Sequence, residues 1–292
     1  MPDLILTGAS RGIGRALALS LARERPRQRL VLVARDRGQL ESLAREIEAL
    51  GGRALVMPGD LSFRAAAREL GARLAAAVEP GATLVHNAGV WPSKRTLTAD
   101  GLEQAFGVNH LAPLALQQVL LDAGLLRRVM VVSAGLLIKG RFDAARTPTG
   151  EDFSSVRTYC TTKLAFALAM RDVAAAHPEL DVVVLHPGVV RTELGARSGP
   201  VGWLLKLVKR GWESPETCAQ RLTRILAREH WSSPGEARWM VEEQEQPWPP
   251  NTQDEATRQA VREVTAQLLS PLPLGEGRGE GLRPSAPAQG TR

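Results

Sequence analysis

The sequence predicts an α/β protein, a doubly wound parallel sheet of about seven strands forming a single domain with a small lid. Three observations predict it. Apolar, β-branched runs alternate with helical periodicities along the chain. A glycine-rich turn joins the first such run to the first helical pattern. The composition, at 292 residues with 44% hydrophobic residues and two cysteines, supplies an ample core and argues against a disulfide framework. Near-continuous apolar strands followed by helices bury both faces of a parallel sheet. Right-handed crossovers then bring the strands' carboxyl ends to one edge, where ligands bind.

The first element is Leu4-Ile5-Leu6-Thr7, running into Gly8-Ala9-Ser10-Arg11-Gly12-Ile13-Gly14, with a helical pattern on Ile13, Leu17 and Leu21. Glycines let the backbone turn sharply and approach a ligand closely, and the first helical turn aims unpaired N–H groups at negative charge. Later strands are expected at Leu30–Val33, Ala54–Met57, Leu84–His86, Val129–Val132 and Val182–Leu185. Helical periodicity marks Leu40, Leu43, Ile47 and Leu50, then Leu102 to Leu121, then Thr161 to Ala176. Residues 193–215, with Trp203, Trp212 and the basic-apolar stretch Trp203 to Arg210, are expected to form the lid. Residues 216–229 read as another helix and 252–269 as a C-terminal surface helix. The main domain is drawn over 1–250, and the Pro, Gly and charge-rich 270–292 as a disordered tail.

The formal net charge is +6, spread along the chain as arginine without clustered aromatics, so no nucleic-acid surface is expected. Met1-Pro2-Asp3 leads straight into the first strand, and no apolar run is long enough to span a bilayer, so a cytoplasmic protein is expected. No metal-ligand spacing occurs around Cys160 or Cys218. Membrane-surface contact through the 203–212 segment is a minor alternative.

Chemistry concentrates at Tyr159 and Lys163, four apart and on one helix face. Tyr159 is the sole tyrosine of the chain. A neighbouring ammonium favours the phenolate and makes tyrosine a usable acid and base near neutrality. A tyrosine four before a lysine also arises by chance, so the pair draws weight from its surroundings. These are Asn87-Ala88-Gly89 after the fourth strand, Asn109 in the next helix, and Pro187-Gly188 through Thr192 after the sixth.

In this order the motifs (Thr7-Gly8-x3-Gly12-x-Gly14, Asp60, Asn87-Ala88-Gly89, Asn109, Tyr159-x3-Lys163, Pro187-Gly188) resemble the short-chain dehydrogenase/reductase family over about residues 3 to 195. Val108 to Leu111 and His186 to Leu194 look most like its retinol-dehydrogenase-like branch. The resemblance implies a Rossmann-like fold and a nicotinamide cofactor. Gly8, Gly12 and Gly14 would line the pyrophosphate, and Ser10, Arg11 and Ile13 of the same turn would also bind the cofactor. Asp60 and Leu61 would meet the adenine, and Asn87, Ala88 and Gly89 its ribose side. Pro187, Gly188 and Thr192 would pack near the carboxamide. Lys163 would hold the nicotinamide ribose and tune Tyr159, Asn109 would hold a relay water, and Tyr159 would be the acid/base. Plainer readings exist: Asp60 as a helix cap, Asn109 as a helix-interior contact, Pro187-Gly188 as a strand-ending turn.

The end of the second strand narrows the cofactor. An NAD site usually carries an acid there. Here Ala34 falls at that place, followed by Arg35, and with Arg11 it offers two guanidinium groups for a 2′-phosphate. NADP is expected, with NAD open because a one-residue shift would make Asp36 the acid. One motif breaks. Counting back from Tyr159, the serine the family uses to bind the substrate oxygen falls on Ala134, with Ser133 beside it. A bulge would let Ser133 serve; otherwise the donor is missing.

The expectation is an NADP-dependent oxidoreductase acting on a carbonyl or alcohol of a small, apolar molecule, with Tyr159, Lys163, Asn109 and Ser133 as catalytic residues. A homodimer or homotetramer is compatible with the resemblance. The alternative is a cofactor-binding regulatory or scaffold protein whose catalysis is weak or lost through Ala134.

Overall fold

A computed structural model describes residues 1–191, 194–195 and 211–270. Strands and helices alternate as β1 (Leu4–Thr7), α1 (Gly12–Glu24), β2 (Arg29–Ala34), α2 (Arg37–Ala49), β3 (Arg53–Pro58), α3 (Arg64–Ala75) and β4 (Ala82–His86). After these come α4 (Gln104–Phe106), a π-helical turn (Gly107–Leu111), α5 (Ala112–Asp122), β5 (Leu126–Val132), α6 (Ser155–Ala176) and β6 (Asp181–His186). The chain continues with α7 (Pro215–Ala227), β7 (Ala237–Val241), β8 (Gln244–Glu245) and α8 (Glu255–Leu269). They form one sheet in the order β3-β2-β1-β4-β5-β6-β7-β8. All neighbours are parallel except the two-residue β8, which returns antiparallel along β7. The seven parallel strands match the expectation from sequence, and β8 adds a short edge.

The side chains of β5 show how the sheet is covered. Val129 and Val131 pack with Leu70 of α3, Leu116 of α5 and Leu168 of α6. Met130 and Val132 pack on the other side with Leu17 of α1, Leu43 of α2 and Leu222 of α7. Both faces are dry, so the strands read as continuous apolar runs. The order reverses between β1 and β4, which opens a crevice at their carboxyl ends.

The helix expected over 102–121 is not regular. Glu103 caps its start by accepting from the Phe106 N–H at 3.0 Å, and the π turn interrupts it around Asn109. Such insertions cluster at functional sites. The last helix begins at Glu255, after a short 3₁₀ turn over Pro250–Thr252, rather than at 252. It docks on α6 and the π turn: Arg258 and Arg262 pair with Asp172, and His110 Nε2 lies 2.8 Å from Thr265 Oγ1. Helix α8 therefore covers part of α6 and of the π turn.

Among the described residues no helix is long and apolar enough to cross a membrane. Thr192, the 203–210 stretch and the tail from 271 onward lie outside the described residues. The ends flanking the expected lid are pinned together: Glu213 N–H donates to Val189 O at 3.1 Å and Arg191 N–H to Glu213 O at 2.8 Å.

Candidate active site

The glycine turn after β1 is held by its neighbour strand. Asn87 Nδ2 donates to Thr7 O at 2.9 Å and Gly8 O at 3.1 Å. Thr7 Oγ1 accepts from the N–H groups of Asn87 and Ala88 at 3.0 and 3.1 Å and donates to Val85 O. Gly8 has φ +67, a conformation that favours glycine. A Cβ on Gly14 would lie 2.3 Å from Gly8 O, so only glycine lets α1 start this close to the turn. Among the described residues no side chain caps that helix. Its first-turn N–H groups face the crevice as anion donors, the arrangement that suits a pyrophosphate.

At the end of β2 the ambiguity between Arg35 and Asp36 resolves. The strand stops at Ala34, and Asp36 is the N-cap of α2. Asp36 Oδ1 accepts from Gln39 N–H at 3.0 Å and Oδ2 from Gln39 Nε2 at 2.9 Å. Its carboxylate is committed to the helix, which leaves the exposed Arg35 at the strand end. Asp60 does not cap a helix. Its Oδ1 accepts from Ser62 N–H at 3.0 Å and Ser62 Oγ at 2.6 Å, a local turn after β3. The Leu61 side chain packs in the core, so only its backbone faces outward to a base.

Asn87, Ala88, Gly89, Asn109 and Lys163 come together. A Cβ on Gly89 would sit 3.3 Å from Asn109 Oδ1 and 3.6 Å from Lys163 Nζ. The π turn aims Asn109 at the loop after β4, where Oδ1 accepts from Val90 N–H at 2.8 Å. Asn109 Nδ2 donates to Val90 O at 2.9 Å and Thr162 Oγ1 at 3.1 Å. The side chain is fully used as a clamp, so a water-holding role would fall to the Asn109 backbone carbonyl. Lys163 is buried and donates to Val132 O at 3.2 Å. Burial pulls its pKa down to about 8.

Tyr159, on the same face of α6, is 4% exposed. Its hydroxyl makes no hydrogen bond among the described residues. Here an expectation from sequence is reversed. Burial, and to a smaller extent Cys160, pushes the phenol well above the usual tyrosine value. Lys163 Nζ stands 5.8 Å from the ring centroid and spends a proton on Val132 O, too far and too occupied to offset desolvation.

Ser133 keeps the ladder regular. Its N–H donates to Leu185 O at 2.7 Å, and the β5–β6 register runs unbroken to Val132 and Leu185. The ladder shows no bulge up to Val132, and the Val131 side of the strand is the side that α6 covers. Ser133 continues the side of Val131, and Ala134, extended at φ −149 and ψ 141, continues the side of Val132. The carbonyl of Pro187 accepts from Arg221 Nη1 at 2.7 Å, and Gly188 takes φ +93. Arg221 also grips Glu213 at 2.6 and 3.0 Å, which fixes the turn after β6.

Sequence reasoning missed Trp91. Its ring stacks on Tyr159 with centroids 4.4 Å apart and planes 5° from parallel. A signal was present: Trp91 lies two residues beyond Gly89, in a loop at the sheet's carboxyl edge. Thr162 and Arg221 were also missed, because ordinary helix positions carry no sequence mark.

Residues 4–200 match the family model for short chain dehydrogenases. The chain belongs to the short-chain dehydrogenase/reductase family. It is 33% identical to human retinol dehydrogenase 13 over 247 residues, which covers 77% of this chain and 72% of that protein. It is 34% identical to mouse polyprenol dehydrogenase, over 76% of this chain and 70% of that one. These likenesses place it in the retinol-dehydrogenase-like branch. Among solved structures, a short-chain dehydrogenase from Sphingobium yanoikuyae in complex with NADPH superposes with a TM-score of 0.60. That likeness covers 96% of this chain and 99% of the other, at 23% identity. As a family member the chain is an oxidoreductase.

Proposed function

We propose that this protein is an NADP(H)-dependent oxidoreductase that reduces a carbonyl, or oxidises the matching alcohol, on a small apolar molecule. The observation that carries the reading is the convergence of Gly89, Asn109, Lys163 and Tyr159 beside an uncapped glycine cradle. The residues present fit the cofactor. The Gly14 position tolerates no side chain, the start of α1 offers free N–H donors, and Asp36 is withdrawn so that Arg35 is left for a 2′-phosphate.

When bound, the reduced nicotinamide supplies hydride to the substrate carbon. Tyr159 gives its hydroxyl proton to the oxygen that gains the electron pair. A phenol held neutral by burial is suited to act as the acid in the reductive direction. Lys163, fixed by Val132 O, would hold the ribose hydroxyls of the cofactor and return a proton toward Tyr159. Asn109 keeps the Val90 backbone and Thr162 in place beneath this pair.

The apolar substrate class is supported by exposed side chains at the carboxyl edge. Ile138, Val156 and Val189, after β5, at the start of α6 and after β6, are 56%, 48% and 54% exposed. Two relatives are named for retinol and polyprenol. The test is NADPH oxidation with a panel of apolar aldehydes and ketones. Turnover abolished by Tyr159→Phe, with NADPH affinity unchanged, is the expected result; equal turnover in the variant refutes it. Ala134 favours a second reading, a cofactor-binding scaffold. That reading requires tight NADPH binding, no turnover across the panel, and activity gained by Ala134→Ser.

A further inference from the structure

Two arginines lie one turn apart on α7, and each grips a glutamate through two N–H groups. Arg224 holds Glu243 with both contacts at 2.8 Å, and 56% of its side chain is exposed. Arg221 holds Glu213 at 2.6 and 3.0 Å with 11% of its side chain exposed, and its Nη1 also donates to Pro187 O at 2.7 Å. Exposed pairs of the first kind are screened by water and fix little. A guanidinium drawn out of water carries a desolvation cost that stability alone seldom returns, so the second pair calls for another reason.

The turn after β6 supplies that reason. A Cβ on Gly188 would meet Arg221 Nη1 at 3.0 Å, Glu242 Oε1 at 3.1 Å and Glu213 Oε2 at 3.5 Å. Three separate elements therefore close on one glycine. Glu213, just before α7, lies along the turn in a parallel bridge to Val190. Glu242 comes from the bend between β7 and β8. Its N–H donates to His186 O at 2.7 Å, and its carboxylate lies 3.7 Å from Arg221 Nη2. Among the described residues Glu242 is the one non-glycine at positive φ, +56. Such strained backbone persists where its surroundings over-determine it, and it gathers at functional sites. Arg221 is the hub of this arrangement, since it reaches both carboxylates and the carbonyl of the turn.

Resting on the NADP(H) reading, in which Pro187 and Gly188 pack near the carboxamide, we propose that Arg221 is a positioning residue for the nicotinamide half of the cofactor. It acts through the backbone of the turn. Its fork holds Pro187 O and the Glu213 carboxylate at once, so the turn is ordered before a ligand arrives and that ordering does not weaken binding. The adenine half is left to the glycine cradle and to Arg35 after β2, with three strands between β2 and β6.

The test is calorimetric titration of Arg221→Ala with NADPH and with adenosine 2′,5′-bisphosphate, which carries the adenine half alone. NADPH is expected to bind about tenfold more weakly than to the wild type, while the fragment stays within about twofold. Arg221→Lys keeps the charge without the fork and is expected to fall between, at about threefold. Adding Glu213→Ala to Arg221→Ala is expected to cost no more than about a further twofold, because the two act as one clamp. Arg224→Ala is expected to bind both ligands as the wild type does. Thermal melts establish that each variant is folded, and Arg221→Lys carries the comparison if the alanine variant does not fold. Unchanged NADPH affinity in the Arg221 variants overturns the proposal. Parallel weakening of NADPH and the fragment also overturns it, because the substitution then acts on the whole fold. A wild type that binds no NADPH overturns the NADP(H) reading, and this proposal with it. A wild type that binds NADPH and reduces nothing overturns the oxidoreductase reading alone, since the affinity comparison does not depend on turnover.

Discussion

Replacing Gly14 by alanine separates local helix preference from the constraint of the cradle. An alanine inside a helix ordinarily gains about 0.5–1 kcal/mol over glycine. At Gly14 the added Cβ would lie 2.3 Å from Gly8 O, 2.6 Å from Asn87 Nδ2 and 2.9 Å from Gly8 C. An ordinary carbon–oxygen contact is about 3.3 Å, so backbone must move by about 1 Å. Overpacking of that kind costs about 1–3 kcal/mol. The shift also strains the two bonds from Asn87 Nδ2 to Thr7 O and Gly8 O, each worth about 1 kcal/mol. After the helix gain, the net loss is about 2–4 kcal/mol. For a chain of this size that is roughly 5–10 °C in melting temperature. Gly38→Ala in α2 is the control. Its Cβ would meet only Asp36 Oδ1 at 3.5 Å, so a small gain in stability is expected. Thermal melts with and without NADPH read both effects. The Gly14 variant should melt lower and lose its ligand-induced upward shift. A Gly14→Ala protein as stable as the parent, with an undiminished shift, would refute the reasoning.

Two further outcomes follow from the same contacts. Arg35→Glu should weaken NADPH binding at least about tenfold while leaving NADH within about twofold, because only the 2′-phosphate meets the guanidinium. Asp36→Ala should cost about 1 kcal/mol through the lost cap without altering that preference; paired titrations of the two cofactors check both. Acid stability is set in part by buried histidines. Burial holds His86 at about 4 and His110 at about 3, against an ordinary value of 6.5. Their unfolded forms take up protons first, so stability should decline as pH falls from about 6.5 toward 4. Denaturant melts of His110→Gln should show a shallower decline across that window, and an unchanged slope would contradict the assignment.

Much of the frame was legible because both faces of the sheet are dry. Runs such as Leu30–Val33 and Val182–Leu185 stand out without any alternation to decode. Helix α3 was not legible, since Arg64–Ala75 has few large apolar residues and packs mainly through Ala67, Leu70 and Leu74. β7 was hidden by Arg238 and by its distance from any motif. The π turn at Asn109 leaves no periodic trace, because one inserted residue barely shifts an apolar pattern. The Tyr159–Lys163 pair and the glycine turn after β1 stood out in the sequence through their spacing together with the motifs around them. Their electrostatics did not. Charge proximity in sequence suggested a lowered phenol pKa, while burial beneath Trp91 raises it. The Asp36 question likewise needed coordinates, because a cap and a ribose acid use the same residue type at the same place.

Because Tyr159 is the sole tyrosine of the chain, its tyrosinate absorbance can be titrated without interference from another phenol. Without cofactor, the midpoint should lie above the ordinary tyrosine value; with NADP⁺ bound, the positive ring beside the phenol should bring it down. A midpoint near 10 that does not move when cofactor binds would contradict the placement of this phenol against the reacting ring.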